Sequence, residues 1–127
     1  MEKVNGIGGL FFRSENPAGL ADWYEQHLGV KKTPQSYDEM SWWQAKGPTV
    51  FAPFELDTEY FDSSKQWMVN FRVDDLDAMV AQLEEAGITV DVAPETYPNG
   101  RFAHLSDPEG NRIELWEPVG HDRDGPA

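Results

Sequence analysis

The sequence contains no cysteine, few basic residues and no long hydrophobic run. Without cysteine there is neither a disulfide framework nor a thiolate metal site, a usage compatible with a reducing cytosol. Ten basic residues stand against 23 acidic ones, giving a net charge of −13. Nucleic acid requires a cationic face, so we exclude it as a partner. No segment is predicted to span a membrane or to act as a signal peptide, so we expect a soluble cytoplasmic protein.

The acidic residues are scattered along the chain rather than gathered into one run. Three explanations remain open: a well-solvated surface, attraction of a cationic ligand by carboxylates inside a cleft, and adaptation to a salty host.

The chain does contain enough apolar side chains to build a core. Its 127 residues are 39% hydrophobic and 13% aromatic. A disordered chain has too little apolar surface to offset its conformational entropy, and 127 residues are too few for two ordinary domains. We therefore predict one folded domain.

A β-hairpin is predicted over residues 101–118. Pro108 fixes φ at the second position of the turn Asp107-Pro108-Glu109-Gly110-Asn111, and glycine and asparagine tolerate left-handed φ. Along the second strand, Ile113 and Leu115 alternate with Glu114, because successive side chains point to opposite faces of a sheet. One carboxylate therefore faces away from the apolar side.

Hydrophobic periodicity predicts two helices and five further strands. The helices begin after Asn16 and after Asp74 or Asp75, which can cap them, and they end at Gly29 and Gly87. The strands are predicted at residues 6–14, 41–45, 49–54, 66–73 and 88–92. The acidic connector 55–65 shows neither period and could lie across a cleft.

The chain also repeats itself. Phe12-Arg13, before the first helix, is matched by Phe71-Arg72 before the second, and the step 47–51 is matched by 110–114. We predict an α+β fold of two βαβββ modules that form an open, curled mixed sheet around a cleft, with a helix covering each module's sheet from outside. The predicted boundaries are 4–54 for module one, 55–65 for the linker, 66–118 for module two and 119–127 for a frayed tail.

The run DPEGNRIEL at 107–115, together with Phe11-Phe12-Arg13, Trp23-Tyr24 and Leu28-Gly29, resembles the vicinal-oxygen-chelate superfamily. That superfamily includes glyoxalase I, extradiol dioxygenases, fosfomycin-resistance enzymes and bleomycin-resistance proteins. The resemblance spans residues 4–118 and concerns the fold above all, since this superfamily keeps its scaffold and changes its chemistry.

The resemblance also implies positions for a divalent metal, held by the first and last strands of each module. These positions fall on Gly9, Phe51, Met68 and Glu114, and the repeat relates them pairwise. Glycine and phenylalanine offer no donor atom, and a thioether suits Cu(I) better than a hard cation. One carboxylate does not make a site that needs three or four ligands. We expect no metal cofactor; Glu114 would be the ligand if one bound.

His104 and Glu114 are the candidate catalytic residues. His104 shares strand parity with Phe102 and, across the hairpin, with Glu114. Such a pair in an aromatic cleft could be a general base with its orienting partner, or a hydrogen-bonded structural pair. His27 and His121 are expected to be packing or surface residues.

The candidate ligand contacts are mostly aromatic. Arg13 and Arg72 hold equivalent positions and could clamp an anion, or could form salt bridges, including one to Glu114. The aromatic residues are expected to line the cleft or the module interface unless they belong to the core. The candidates are Phe11, Arg13, Trp43, Phe51, Met68, Asn70, Arg72, Tyr97 and Trp116, with Trp42 and Phe54 as further wall residues.

Three functions are consistent with this pattern. The first is a glyoxalase/bleomycin-resistance-like protein that binds a small organic molecule in its aromatic cleft without a metal, as the homodimer that the resemblance implies. The second is a lyase, isomerase or dioxygenase that uses His104 and Glu114 with or without a divalent metal. The third is a dimerising scaffold without a ligand.

Overall fold

The computed structural model describes residues 1–126 and consists of two long helices, a four-stranded sheet and one short terminal helix. The elements are α1 (Pro17–Leu28), β1 (Val69–Arg72), α2 (Leu76–Glu85), β2 (Asp91–Val92), β3 (Gly100–Ser106), β4 (Arg112–Pro118) and α3 (His121–Asp124).

Local sequence signals explain the ends of both long helices. The Asn16 side chain accepts a hydrogen bond from the first turn of α1, where Pro17 has no N–H to satisfy. Gly29 ends α1 at φ 72°, a left-handed conformation that suits glycine. The Asp75 side chain caps α2 in the same way as Asn16 caps α1. Both predicted helices are therefore confirmed.

The sheet has the strand order β1-β4-β3-β2. Strand β1 runs parallel to β4, whereas β4 with β3 and β3 with β2 are antiparallel. The predicted hairpin is confirmed as β3 and β4, joined by the turn 107–111. The α+β class with an open mixed sheet is confirmed as well.

One hydrophobic core lies between both long helices and one face of this sheet. It contains Leu20 and Tyr24 of α1 together with side chains of α2, β3 and β4. Each fully buried aliphatic side chain stabilises the fold by about 1.5–3 kcal/mol. We predicted that each helix covers the sheet of its own module; instead α1 joins α2 on the sheet of the second half. The residues from the other elements are Leu76, Val80, Leu83, Ala103, Leu105, Ile113 and Leu115.

The predicted strands of the first half are wrong for the described chain. Residues 6–14, 41–45 and 49–54 have no strand assignment and no backbone pairing within residues 1–126. Alternating side chains favour an extended backbone, but a strand also requires a neighbouring strand to satisfy its N–H and C=O groups. The side chains of these segments do alternate in the sequence, but within residues 1–126 no neighbouring strand pairs with them.

Two carboxylates of the hairpin turn hold the first half against the second. Glu109 accepts hydrogen bonds from the Ser14 hydroxyl at 2.7 Å and the Glu15 backbone at 2.8 Å. Asp107, which is buried, accepts one from the Tyr24 hydroxyl at 2.6 Å. Burial and this hydrogen bond raise the pKa of Tyr24 far above its usual value. The phenol is therefore a permanent donor.

Residues 121–124 of the predicted tail form α3 after Gly120, and fraying of the tail stays a prediction. Ala127, also part of the predicted tail, lies outside the described residues. Within residues 1–126, none of the helices has the length and apolar character needed to cross a membrane.

Candidate functional site

Glu114 is a buried carboxylate that accepts hydrogen bonds from three side chains. The residue is 7% exposed. Its Oε1 accepts from Asn70 Nδ2 at 2.7 Å, and its Oε2 lies 2.8 Å from His104 Nε2. Oε2 also accepts from the Tyr60 hydroxyl. Because an ionised carboxylate only accepts, His104 carries its proton on Nε2.

The sheet register brings three of these four residues together. Glu114 of β4 pairs with Asn70 of β1 on one side and with His104 of β3 on the other. Ile113 and Leu115, which flank Glu114 on β4, point into the core. Because side chains alternate along a strand, Glu114 and its paired neighbours lie on the opposite face. The predicted juxtaposition of His104 and Glu114 is confirmed; their chemical role stays a prediction.

Tyr60 reaches the site from the connector 55–65 and was missed by the sequence analysis. Its ring packs edge-on against His104 at 5.5 Å and tilts against Phe54 at 5.7 Å. Through Tyr60 the connector contacts this face of the sheet, and its position across a cleft stays a prediction. No periodicity within the connector indicated which of its side chains would point inward.

Hydrogen bonding keeps Glu114 ionised, whereas burial and then hydrogen bonding keep Tyr60 neutral. Burial is the largest single influence on Glu114 and raises its pKa, but the hydrogen bonds from His104, Tyr60 and Asn70 together leave that pKa below its usual value. Burial, followed by the hydrogen bond to Glu114, raises the pKa of Tyr60 to about 12. At neutral pH the site therefore contains an ionised Glu114 carboxylate and a Tyr60 phenol that donates a hydrogen bond.

The residues at the family's metal positions do not fit a hard cation. Gly9 has no side chain, the Phe51 side chain is exposed, and Met68 offers only a thioether. No group of three or more His, Cys, Asp or Glu side chains that could hold a metal occurs in the described part of the chain. A cation on Glu114 would compete with three donors, of which only His104 is an ordinary metal ligand.

An aromatic cluster lies beside Glu114 on the same face. Trp116, two residues along β4, stacks parallel to Phe102 with ring centroids 6.2 Å apart. Its indole N–H donates to the Asn99 carbonyl at 2.8 Å. Tyr97 packs edge-on against Phe102 at 6.0 Å. Trp116 is buried, so Tyr97 and Phe102 offer the accessible part of this cluster.

The structure does not bring the first-half aromatic candidates to this cluster. Phe11, Trp43 and Phe51 are 93%, 81% and 82% exposed. None of their rings packs against another aromatic ring in residues 1–126. Phe54, which packs on Tyr60, is the first-half wall residue that approaches the site. Ligand binding by the three exposed residues stays a prediction.

The predicted arginine pair is not formed. Arg72 donates to the Ala45 carbonyl at 3.0 Å, and Glu114 is hydrogen-bonded to His104, Asn70 and Tyr60 in the described structure. Neither Arg13 nor Arg72 forms the predicted salt bridge to Glu114 within residues 1–126. Arg13 lies beside the hairpin turn, at the opposite end of β4 from Arg72. Binding of an anion by these two arginines stays a prediction.

A pocket of about 390 Å³ adjoins the site at the end of the sheet where β2 begins. Arg112 lines it together with His104 of the site. The sequence analysis missed Arg112, although its position two residues before Glu114 indicates the same face of β4. The full lining is Ile88, Thr89, Asp91, His104, Leu105, Ser106 and Arg112.

Comparison with known proteins agrees with the fold. Residues 6–115 match the family model "Glyoxalase/Bleomycin resistance protein/Dioxygenase superfamily". The chain is 45% identical over 54 residues to "Putative glyoxylase CFP32" of Mycobacterium tuberculosis; the match covers 42% of this chain and 21% of that relative, so it spans about a fifth of the relative's length.

Two solved structures are similar over most of the chain. A "putative glyoxalase family protein" from Bacillus anthracis has 21% identity and a TM-score of 0.56, with 92% of this chain and 100% of that chain covered. TnmS3, "an antibiotic binding protein" from Streptomyces sp. CB03234, has 28% identity and a TM-score of 0.49, with 83% and 88% covered. With most of its length matched by the family model, the chain belongs to the glyoxalase/bleomycin resistance protein/dioxygenase superfamily.

Proposed function

We propose that this protein binds a small organic molecule against the aromatic face beside Glu114, without a metal ion. The observation that carries the proposal is the set of hydrogen bonds on Glu114. Its two oxygens accept hydrogen bonds from Tyr60, Asn70 and His104. Glu114 is the one carboxylate at the family's four metal positions, and it is already bound by protein donors. A hard cation would have to displace these donors and would find too few ligands in exchange.

The accessible part of the face suits a flat or apolar ligand body. Tyr97 and Phe102 present aromatic surface, and His104 and Tyr60 place polar groups next to it. Small-molecule sites typically combine such apolar walls with a few fixed polar groups.

The proposal is tested with naphthalene compounds that carry an ammonium, an amide or a carboxylate group, titrated while tryptophan fluorescence and the melting temperature are recorded. We expect at least one to bind and stabilise the fold. Phe102→Leu should weaken that binding roughly tenfold by removing an aromatic wall. Tyr37→Leu is the matched control, because Tyr37 is fully exposed. If no compound of any charge binds, the proposal fails.

The metal-free part has its own test. Elemental analysis of protein purified without chelators should find less than about a tenth of an equivalent of zinc, nickel, manganese or iron, since a competent site retains its metal. A stoichiometric metal that is lost in Glu114→Ala would contradict it.

A second candidate function is proton transfer by His104. Glu114 lies 2.8 Å from Nε2, and in the neutral tautomer that donates from Nε2 the Nδ1 atom has a lone pair that can accept a proton. The assay is hydrogen–deuterium exchange beside the carbonyl of a bound naphthyl methyl ketone, followed by NMR. Exchange that is lost in His104→Gln supports an enzyme, and exchange equal to that of the buffer or of the variant removes this candidate.

We also propose that the protein is a homodimer. Within residues 1–126, the segments 6–14, 41–45 and 49–54 lack backbone pairing, and Phe11, Trp43 and Phe51 are exposed beside or within them. Soluble monomers rarely expose so much apolar surface, and unpaired backbone is a template for another chain. Light scattering should give twice the 14.4 kDa chain mass. A monomeric mass contradicts the dimer, and a dimer without ligand binding favours the scaffold.

A further inference from the structure

Arg112 occupies the same face of the sheet as the proposed site. It is the first residue of β4, two positions before Glu114, and its Cα pairs with Ser106 of β3. Side chains two apart on a strand share a face, and so do directly paired residues on neighbouring strands. Arg112, Glu114, His104 and Ser106 therefore project to one side.

The Arg112 guanidinium has no protein partner among residues 1–126. Its Nε is buried and has no hydrogen-bond partner in the structure. No carboxylate lies within ion-pair distance of Arg112 among residues 1–126, although the chain has 23 acidic residues. A buried charged donor without an acceptor is costly and calls for an explanation. The surroundings of Arg112 favour the explanation that a ligand supplies the acceptor.

Those surroundings offer further donors. The lining of the pocket also includes Ser106 and Thr89, whose hydroxyl groups can donate hydrogen bonds. Asp91 is the one carboxylate in the lining; it is exposed and forms no ion pair with Arg112 in the described chain. Glu114 next to the pocket already accepts from three side chains. A negatively charged group would meet more donors than competing acceptors.

The positive charge of Arg112 also reaches the Tyr60 hydroxyl. Its electrostatic effect lowers the pKa of Tyr60 and so opposes part of the rise caused first by burial and then by Glu114. Arg112 therefore acts at the edge of the same cluster and not at a remote surface.

We infer that Arg112 anchors an oxyanion group of the ligand, a carboxylate or a phosphate, in the pocket beside His104 and Glu114. Arginine suits this task because its planar guanidinium can donate two parallel hydrogen bonds to such a group. The ligand's aromatic body would then extend along the sheet towards Phe102. The inference rests on the proposed function, because it assigns a charge class to the ligand of that face.

The test compares 2-naphthoate, 2-naphthyl phosphate and inorganic phosphate with 2-naphthamide, a neutral compound of the same shape as the carboxylate. Calorimetry on the full chain should show the naphthyl anions binding roughly tenfold tighter than the amide. Backbone NMR shifts should change at Thr89 and Ser106. The two naphthyl anions separate carboxylate from phosphate recognition, and inorganic phosphate shows whether the aromatic body is needed.

Substitutions then assign the preference to one side chain. Arg112→Met should bring the naphthyl anions down to the affinity of the amide, and Arg112→Lys should retain part of the preference as a point charge. Arg123→Met is the control for net charge, because Arg123 is exposed and lies in α3. Urea unfolding of each variant checks that the fold persists.

The possible outcomes separate this inference from the proposed function. If the amide binds as tightly as the anions, or if the wild-type preference survives in Arg112→Met, the inference is overturned while ligand binding stands. Binding of the ammonium compound alone overturns it too. If none of the compounds binds, both proposals fail.

Discussion

Replacing Glu114 by glutamine tests the central hydrogen-bond cluster most directly. Glutamine keeps the shape of the side chain but removes its charge and turns one acceptor into a donor. Oε2 serves both His104 and Tyr60, so the amide oxygen is best placed there. The amide N–H₂ group then faces Asn70, whose exposed side chain can rotate to offer its oxygen. All three contacts can survive in neutral form.

The expected cost follows from the difference between charged and neutral hydrogen bonds. A bond to a charged group contributes about 1.5–3 kcal/mol and a neutral one about 0.5–1.5 kcal/mol. Relief of the burial of a charge offsets part of this loss over three contacts. We expect Glu114→Gln to lower the free energy of unfolding by about 1–2 kcal/mol at neutral pH.

The dependence on pH gives this prediction its sign. The folded-state pKa of Glu114 is below its usual value, so its contribution is present above the unfolded-state pKa of about 4.3 and is lost as pH falls through the folded-state pKa. The stability gap between wild type and variant should be full above about pH 5 and should narrow below about pH 4.

Urea unfolding in a series of buffers from neutral to acidic measures this gap. Glu55→Gln is the control, because Glu55 is exposed and its side chain makes no hydrogen bond in the described structure. Equal stability of wild type and Glu114→Gln at neutral pH would refute the reasoning. A gap that stays constant into acid would show that shape, and not charge, is responsible.

Three further predictions concern other parts of the fold. Tyr24→Phe should cost about 1–2 kcal/mol in urea unfolding by removing the buried donor to Asp107, while Tyr37→Phe, at a fully exposed position, should change nothing. Gly100→Ala should cost more than about 3 kcal/mol or prevent folding, since its φ is 139° and a Cβ would lie 2.2 Å from a β4 carbonyl oxygen; thermal unfolding measures it. Absorbance should show one tyrosine that ionises at about pH 12 in the wild type and is absent in Tyr60→Phe. The contribution of Tyr60 to stability should fall as pH rises from about 10 towards 12. If the transition persists in the variant, it belongs to another tyrosine.

The hairpin could be predicted in detail because turn chemistry and alternation agree there. The turn 107–111 sets the register, and the register places His104 opposite Glu114. The same alternation also places Arg112, two residues before Glu114, on the face of the site. This position could therefore be predicted from the sequence.

The remaining features depend on contacts that no local pattern encodes. Tyr60 and Glu114 are 54 positions apart, and the connector between them has no period. The packing of α1 on the sheet involves the hydrogen bond from Tyr24 to Asp107, and these two residues are 83 positions apart. Strand formation in the first half likewise depends on a neighbouring strand, and the alternation of side chains does not identify which strand that is.

The long-range contacts of the hairpin turn have a consequence during synthesis. Tyr24 and Ser14 bond to Asp107 and Glu109, which leave the ribosome 83 and 95 residues after them. The first helix therefore cannot form these contacts until the hairpin turn 107–111 has emerged. Until then the aromatic first half of the nascent chain is unprotected, which makes slow folding and early aggregation the characteristic hazards of this topology.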